Sequence, residues 1–347
     1  MPPDAIAAVD ECILVTGASG FIGTKVVETL CDYGFTNVRC FVRPTSRLER
    51  LNQVVRRASA QQNVQLIVGD LLSPEDCRKA TQDVSIIYHL AAGIEKSFAG
   101  AFMNSALTTR NLMDAFLKYG QPKRFVNVSS FAVYSNLKLK RGALLDENCP
   151  LEDAPQQRFD PYGYGKLKQD QLVMEYGKQF NLPYVIVRPG AVFGPGKPKL
   201  IGRVAIDTFG CLIHLGGTNP LPLTYVDNCA EAIVLAGLKP GVDGEIFNVV
   251  DDDAPTSKEF LRGYKKQTGV FSLSMPYPLT ELLCVGWEKY ARATRNQVPP
   301  VFNRRRCSAE WKGNHYSNRK LKERLGWKPR VDMKSAVASF LAQFPKS

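Results

Sequence analysis

The sequence contains few of the patterns that bind metals or form disulfide frameworks. Its three histidines, His89, His214 and His315, lie far apart, and its nine cysteines are scattered and form no CxxC pair. Zinc sites and disulfide-rich secreted scaffolds both depend on closely spaced ligands or paired cysteines. We therefore expect no metal site, and we expect the reduced thiols that are typical of a cytoplasmic protein.

Long apolar runs are also missing. No run reaches the roughly 18–20 residues that span a bilayer. The first residues, Met1-Pro2-Pro3-Asp4, lack the basic segment and the apolar segment of a secretory signal. These absences predict a cytoplasmic protein without an integral membrane segment.

Positive charge, in contrast, is in excess. The formal net charge is +12, and much of the surplus lies between Arg292 and Arg330. Such a surplus attracts phosphates on a cofactor, an activated substrate or an anionic membrane. A solvated basic face is the simpler interpretation for most of these residues. We expect a small-molecule substrate and no nucleic acid, and peripheral membrane contact stays open.

Short apolar runs alternate with helical patterns along the first half of the chain. The runs at 12–15, 38–42, 64–68, 84–90, 125–128 and 184–187 predict strands, and the patterns at 105–117 and 165–178 predict helices. This alternation predicts an α/β fold with a doubly wound parallel sheet of the Rossmann type. We assign residues 1–195 mainly to a dinucleotide-binding domain and 196–347 mainly to a smaller, substrate-covering lobe. In the later part, 247–250 predicts a strand that returns to the main sheet, and 279–295 predicts a helix.

A glycine-rich loop follows the first strand and leads into a helix. Gly17 and Gly20 let the backbone turn tightly and approach a pyrophosphate, and Gly23 lets helix and strand pack closely. The helix N-terminus then offers free N–H groups and a positive dipole end to the phosphates. The loop residues expected to contact a dinucleotide are Gly17, Ser19, Gly20, Phe21, Ile22 and Gly23.

The residues after the second strand bear on which dinucleotide is bound. NAD sites usually carry an acid there, which holds the ribose 2′-hydroxyl. This sequence has Arg43, Ser46 and Arg47 instead, and no acid before Glu49. An arginine favours a 2′-phosphate, so we expect NADP(H), with NAD(H) as the alternative. Asp70, after the third strand, is expected to accept a hydrogen bond from the adenine amine, or else to cap the following helix.

The pattern Tyr-x-x-x-Lys occurs twice in one segment, as Tyr162 with Lys166 and as Tyr164 with Lys168. Four residues make about one helical turn, so either pair can share a helix face. An ammonium beside a phenol lowers the phenol pKa from about 10, which prepares the tyrosine for proton transfer with a carbinol oxygen. Ser130 follows the fifth strand, at the sheet edge where α/β proteins bind ligands.

These motifs together resemble the extended short-chain dehydrogenase/reductases, the NAD(P)-dependent epimerase/dehydratase superfamily. Besides the glycine loop, the chain carries His89-Leu90-Ala91-Ala92, Asn104 with Asn111-Leu112-Met113, Asp146-Glu147-Asn148-Cys149-Pro150, Arg188-Pro189-Gly190-Ala191-Val192-Phe193-Gly194-Pro195-Gly196, Tyr225-Val226-Asp227-Asn228 and Leu325-Gly326-Trp327-Lys328-Pro329. The resemblance implies Tyr162 and Lys166 as the working pair, Ser130 as the catalytic Ser/Thr and Asn104 as an active-site asparagine. It also implies cofactor contacts at Leu71, Leu90, Ala91, Ala92, Tyr162, Lys166, Pro189 and Val192.

Three reactions are compatible with these residues. The first is hydride transfer between nicotinamide and a substrate carbonyl or secondary alcohol, with Tyr162 as general acid/base. The second is nucleotide-sugar epimerisation with a tightly held NAD(P), and the third is a non-catalytic binding protein. The full set of Ser130, Tyr162 and Lys166 argues against the third.

The resemblance favours the first reaction. Dehydratases of the superfamily resemble one another in an Asp-Glu pair where this chain has Phe131 and Ala132, and Arg43 departs from the epimerase pattern. The late lobe is similar to that of 3β-hydroxysteroid dehydrogenase-like and dihydroflavonol-reductase-like members. We therefore expect an NADP(H)-preferring oxidoreductase, and a homodimer is the habit of the family.

Overall fold

Alternating apolar strands and amphipathic helices build the centre of the molecule. A computed structural model describes residues 2–58, 62–93, 95–197, 202–208, 210–295 and 297–345. The strands are β1 Cys12–Thr16, β2 Asn37–Val42, β3 Asn63–Val68, β4 Val84–His89, β5 Arg124–Val128, β6 Leu144–Leu145, β7 Tyr184–Pro189, β8 Ala191–Phe193, β9 Ala205–Thr208, β10 Cys211–His214, β11 Leu223–Tyr225, β12 Ile246–Val249, β13 Ser272–Ser274 and β14 His315–Tyr316. The helices are α1 Phe21–Asp32, α2 Glu49–Arg57, α3 Pro74–Thr81, α4 Phe98–Ala101, α5 Thr108–Tyr119, α6 Pro155–Arg158, α7 Pro161–Phe180, α8 Val226–Leu238, α9 Ser257–Thr268, α10 Tyr277–Ala293, α11 Arg304–Trp311, α12 Arg319–Leu325 and α13 Met333–Leu341.

Seven strands form one parallel sheet in the order β12-β7-β5-β4-β1-β2-β3. The central strands β1, β4 and β5 are buried along their whole length, which explains their continuous apolar sequences. The edge strand β3 is largely exposed. The expected Rossmann-type α/β fold is confirmed, and β12 brings the later part of the chain back to the sheet beside β7.

Two hydrophobic layers cover the two faces of the sheet. On one face α1 packs against α8, with Val26, Leu30 and Ile233 fully buried. On the other face α5 and α7 bury Phe116 and Val173. Each such side chain contributes roughly 1.5–3 kcal/mol on burial. The two layers fix the strand ends at which the site lies.

The helix expected at 105–117 begins differently. A π-helical turn spans Phe102–Leu107 and continues directly into α5. The hydroxyls of Thr108 and Thr109 both donate to the carbonyl of Ser105, at 3.0 and 2.6 Å. Hydroxyls that bond to helix carbonyls in this way compete with the regular backbone ladder. Asn104 lies in this turn, and π-helical turns often occur at functional sites.

The later part of the chain has a smaller core of its own. Strand β8 pairs with β11, and β9, β10 and β13 form a separate three-stranded sheet. The rings of Phe193, Phe260 and Phe340 pack against one another with centroids 5.7 to 6.3 Å apart. Among the described residues, no helix combines the length and apolarity that crossing a bilayer requires.

Candidate active site

The site opens where the chain reverses its direction of travel across the sheet. From β1 the chain moves outward to β2 and β3, and from β4 it moves the other way to β5 and β7. The carboxyl ends of β1 and β4, at Thr16 and His89, are neighbours in the sheet. Open α/β sheets bind ligands in the crevice at this kind of switch point.

The glycine loop packs so closely against its own backbone that side chains would not fit at two of its glycines. Gly17 has φ +69°, and a Cβ there would lie 2.9 Å from the Ala91 nitrogen. A Cβ at Gly23 would lie 2.1 Å from the Gly17 carbonyl oxygen. Helix α1 begins with no side-chain cap and no acid in its first turn. Its free N–H groups and dipole therefore suit a pyrophosphate.

Two adjoining cavities follow the course of such a cofactor. The larger has a volume of about 610 Å³ and the smaller one of about 230 Å³. Of the residues expected from the sequence, the larger is lined by Gly17, Gly20, Phe21, Ile22, Gly23, Leu90, Ala92, Ser130, Tyr162, Lys166, Pro189 and Val192. The smaller is lined by Ser19, Arg43, Ser46, Leu71 and Ala91, together with Gly17, Gly20, Leu90 and Ala92.

Three expected residues do not line these two cavities. The side chain of Arg47 is exposed to solvent. Asp70 accepts a hydrogen bond from the Leu72 nitrogen at 2.9 Å, and the cap of α3 is Ser73 instead. Asn104 donates to the carboxylate of Glu95 at 2.8 Å. Glu95 lines a third cavity. Asn104 therefore contacts a residue of that cavity wall without lining the cavity itself.

The candidate catalytic residues meet at the start of α7. Asp160 caps this helix by accepting from the Gly163 nitrogen at 3.0 Å, and a proline occupies its first position. Tyr162 therefore lies in the first turn, and Lys166 follows one turn later. Lys166 Nζ donates to the carbonyl of Val128 at 2.6 Å, at the end of β5.

The second Tyr-x-x-x-Lys pair points elsewhere. The ring of Tyr164 packs edge-on against Phe98, with centroids 5.4 Å apart. The Nζ of Lys168 lies 6.0 Å from the centre of the Tyr164 ring and donates to the Gln171 side-chain oxygen at 2.9 Å. Of the two pairs, only Tyr162 and Lys166 line the larger cavity among the described residues.

Burial controls the titration of the pair. It lowers the pKa of Lys166 to about 8, although the Asp170 carboxylate acts in the opposite direction. Burial raises the pKa of Tyr162, and a hydrogen bond with Ser130 opposes that rise. The lower tyrosine pKa expected from the sequence is thus not found, because desolvation of the phenol outweighs the effects that favour phenolate. At neutral pH the arrangement presents a protonated phenol.

A buried ionic layer supports the pair from behind. Asp170, one turn after Lys166 on α7, accepts from Asn127 at 2.8 Å and from Arg188 at 3.1 Å. Arg188 also donates to the Tyr134 hydroxyl at 3.0 Å. Removing one partner of such a buried network typically costs 3–5 kcal/mol. The residue types alone gave no signal for this layer, because its members come from three different elements and from the segment that follows β5.

A second buried network lies below the glycine loop. His89 contacts the hydroxyls of Thr16 and Thr109, each at 2.8 Å. Gln169 of α7 donates to Thr109 at 2.8 Å. Burial lowers the pKa of His89 to about 3, so the imidazole is neutral. This network ties β1, β4, α5 and α7 together beneath the site.

Lys197 is a site residue that the sequence analysis did not identify. It lines the larger cavity together with Gly196, opposite the glycine loop. Its Nζ donates to the Val192 carbonyl at 2.8 Å and lies 5.8 Å from the centre of the Phe21 ring. Burial lowers its pKa. A lysine directly after the Gly194-Pro195-Gly196 turn was the available signal.

A third cavity, of about 510 Å³, continues from the catalytic residues towards the later part of the chain. It shares Ser130 and Tyr162 with the cofactor cavity. Its further walls are of mixed character: Phe131, Phe159 and Val301 are apolar, and Arg203, Arg306 and Glu310 are charged. We call it the substrate-side cavity.

The site has the architecture of a known enzyme family. The model of the NAD dependent epimerase/dehydratase family matches residues 13–249. The chain belongs to this family. It is therefore an NAD(P)-dependent enzyme of the extended short-chain dehydrogenase/reductase type, and the family resemblance drawn from the sequence motifs is confirmed.

Relatives of this family member carry out several reactions. It is 24% identical over 356 residues to the decarboxylating sterol-4-alpha-carboxylate 3-dehydrogenase of Mus musculus, with 98% of this chain and 92% of the relative covered. It is 28% identical over 256 residues to a trifunctional UDP-glucose 4,6-dehydratase/UDP-4-keto-6-deoxy-D-glucose 3,5-epimerase/UDP-4-keto-L-rhamnose-reductase of Arabidopsis thaliana. That match covers 68% of this chain but only 36% of the much longer plant protein.

A solved structure supports the fold over almost the whole chain. The UDP-glucuronic acid 4-epimerase of Bacillus cereus, in complex with UDP-glucuronic acid and NAD, matches with a TM-score of 0.71 and 23% identity. The match covers 95% of this chain and 98% of the epimerase. At this identity the likeness shows the fold.

Proposed function

We propose that this family member is an NADP(H)-preferring oxidoreductase that transfers a hydride between nicotinamide and a substrate carbonyl or secondary alcohol. The observation that carries the proposal is the position of Ser130 and Tyr162, which line both the cofactor cavity and the substrate-side cavity. A group that acts on a reacting oxygen must face both ligands.

Tyr162 is the general acid/base of the proposed mechanism. In the direction of reduction its phenol donates a proton to the substrate carbonyl oxygen, and in oxidation it takes that proton back. The Ser130 hydroxyl donates a hydrogen bond to the same oxygen, where negative charge develops. Lys166 would hold the nicotinamide ribose of a bound cofactor, and its ammonium would stabilise the phenolate that remains after proton donation. When bound, the nicotinamide supplies or accepts the hydride.

The preference for NADP(H) rests on Arg43. This residue follows β2 at the wall of the smaller cavity, and its backbone nitrogen donates to the Ser46 hydroxyl at 3.0 Å. The guanidinium is exposed and suits a 2′-phosphate, whereas an acid would suit a free ribose hydroxyl. Arg47 adds positive charge nearby, whereas the contact of Asp70 with the adenine amine stays a prediction, since its carboxylate accepts from the Leu72 nitrogen.

Net redox chemistry is favoured over dehydration. At the positions where dehydratases carry their acid pair, Phe131 packs on Tyr134 and Tyr316, with centroids 5.7 Å from each ring. Neither Phe131 nor Ala132 can exchange a proton with a sugar carbon. The sterol dehydrogenase relative, which matches 98% of the chain, also favours a redox reaction.

A nucleotide-sugar epimerase is the second candidate, and one observation favours it. Arg203 and Arg306 line the substrate-side cavity, and guanidinium groups bind diphosphates well. Arg203 is partly engaged, since it donates to the Ala309 carbonyl at 2.7 Å and lies 3.6 Å from Glu310. Arg306 is exposed.

The cofactor of the purified protein separates the two candidates. For an oxidoreductase we expect cofactor that exchanges freely, and NADPH that is consumed when a ketone substrate is added. NAD(P) that survives dialysis, with no net change in absorbance at saturating substrate, would contradict the proposal and favour the epimerase. A nucleotide sugar that raises the melting temperature would identify the substrate class.

A further inference from the structure

Helix α10 has a buried face and an unusually apolar outer face. Its buried residues are Thr280, Cys284 and Ala291, and Cys284 packs in one cluster with Cys307 and Trp311 of α11. The outer face carries a stripe at helical spacing, formed by Leu279, Leu282, Leu283, Gly286, Tyr290 and Ala293. We call these residues the α10 stripe.

The large side chains of the α10 stripe are well exposed. Their exposed fractions are 45% for Leu279, 65% for Leu282, 53% for Leu283 and 54% for Tyr290. Scattered single apolar residues are normal on a protein surface, but a continuous row of this kind marks an interaction site.

Apolar surface continues beside the helix. Leu273, just before α10, is 57% exposed and pairs in register with Ile213, which packs on the Cys284 cluster. On the far side Phe302 is 40% exposed, and its ring lies 6.0 Å from that of Trp287. Exposed apolar side chains therefore also lie on the segments that flank α10.

The charges around the stripe are mostly positive. Residues 277–295, which comprise α10 and the turn after it, contain three Lys or Arg and two Glu. Lys289, Arg292 and Arg295 are exposed at the C-terminal end of the stripe. Glu288 points inward and is balanced by Arg292 at 3.7 Å and Arg304 at 3.5 Å. A second acid, Glu281, is half-buried beside the stripe near its other end.

We infer that the α10 stripe docks on the surface of an anionic lipid bilayer. The helix would lie in the plane of the interface, with its leucines among the acyl chains and Lys289, Arg292 and Arg295 at the headgroups. An apolar face bordered by cations is the pattern of interfacial helices, and its cations select anionic lipids over a neutral surface. The charge pattern favours this occupant over a second copy of the chain, because three exposed cations border the stripe against one half-buried acid, so a second copy would bring mostly further positive charge to the interface.

Docking in this way would bring the substrate-side cavity to the membrane. The segment that follows α10 supplies Val301 to the wall of that cavity, and α11 supplies Arg306 and Glu310. An apolar alcohol or ketone dissolved in the bilayer would then enter the site beside the docked helix. This consequence rests on the proposed function, whereas the docking itself does not.

Flotation with lipid vesicles tests the inference on the full chain. The wild-type protein is expected to float with phosphatidylglycerol-containing vesicles and more weakly with pure phosphatidylcholine vesicles, and high salt should reduce the binding. Changing Leu282→Glu together with Leu283→Glu is expected to lower the lipid partition at least about tenfold. The matched control is Leu144→Glu, since Leu144 is 51% exposed on a different element.

A charge variant gives an independent measurement. Lys289→Gln and Arg295→Gln are each expected to weaken binding to the anionic vesicles roughly fivefold, because one cation near such a surface contributes about 1 kcal/mol. Arg57→Gln, at a side chain that is 76% exposed, is the control. Melting curves and NADPH binding verify that every variant is folded.

Two results would overturn the inference. One is a wild-type protein that does not bind anionic vesicles, or that binds them as well after the leucine changes. The other is a wild-type dimer that does not bind vesicles and that dissociates in the leucine variant, as measured by light scattering. The stripe would then join two copies of the chain. The redox proposal is tested separately, by turnover in buffer without vesicles. A protein that shows no turnover there can still float with vesicles, so the two failures are distinguishable.

Discussion

Replacing Tyr162 by phenylalanine removes a single hydroxyl from the junction of the cofactor and substrate-side cavities. The ring keeps its place at the start of α7, so the apolar contacts are retained. The lost group makes a hydrogen bond with Ser130. One such bond is worth about 0.5–1.5 kcal/mol of stability, so the variant is expected to fold and to melt within a few degrees of the wild type.

The expected loss in catalysis is much larger. A positioned general acid contributes about 10²- to 10⁴-fold to the rate. At about 1.36 kcal/mol for each factor of ten, Tyr162→Phe should raise the activation barrier by roughly 2.7–5.4 kcal/mol. The cofactor contacts at the glycine loop are untouched, so the NADPH dissociation constant should change by no more than about twofold.

The measurement combines steady-state turnover, followed by NADPH absorbance, with a titration of NADPH fluorescence. Tyr164→Phe is the matched control, because Tyr164 packs against Phe98 and should tolerate the change. Full activity of Tyr162→Phe would refute the assignment, and inactivity of the Tyr164 variant would transfer the role to Tyr164 and Lys168. A joint loss of turnover and NADPH binding would indicate a structural role for Tyr162.

Three further predictions concern the cofactor and the buried histidine. Arg43→Ser should weaken NADPH use about 10- to 100-fold and leave NADH use nearly unchanged, since a charged hydrogen bond is worth about 1.5–3 kcal/mol; equal effects on the ratio kcat/KM for both cofactors would contradict the 2′-phosphate role. Lys197→Met should weaken binding of both cofactors about tenfold by titration, because the lost cation lines the cavity of the glycine loop, where the phosphates that both cofactors share would lie; unchanged binding would remove Lys197 from the site. His89 has a pKa of about 3 in the folded chain and about 6.5 when unfolded, so only the unfolded chain takes up its proton between these values. Stability should therefore fall as pH drops through this window, and urea unfolding of His89→Gln should show a shallower acid decline; an unchanged slope would exclude His89 as its cause.

Local sequence patterns determined the main sheet, the glycine loop and the candidate Tyr-x-x-x-Lys pairs. The strands and the glycine loop are encoded by neighbouring residues, since strand burial and backbone conformation depend on side chains a few positions apart. The Tyr-x-x-x-Lys spacing is also local, and it left two pairs open. The family resemblance favoured Tyr162 and Lys166, and the geometry places them in the cavity while Tyr164 turns to Phe98.

Tertiary structure decided what the local patterns could not. Asp170 and Arg188 meet from α7 and β7, and Lys197 reaches the glycine loop from a position more than 170 residues later. Such contacts depend on how elements pack, and no short window of sequence contains them. The same holds for the pKa of Tyr162, where burial raised the value although the neighbouring lysine predicted a lower one. The sequence by itself thus determined which elements of the main sheet form and which residues are proposed to carry the chemistry. Only packing decided their solvation and their partners, because both depend on atoms brought together from distant parts of the chain.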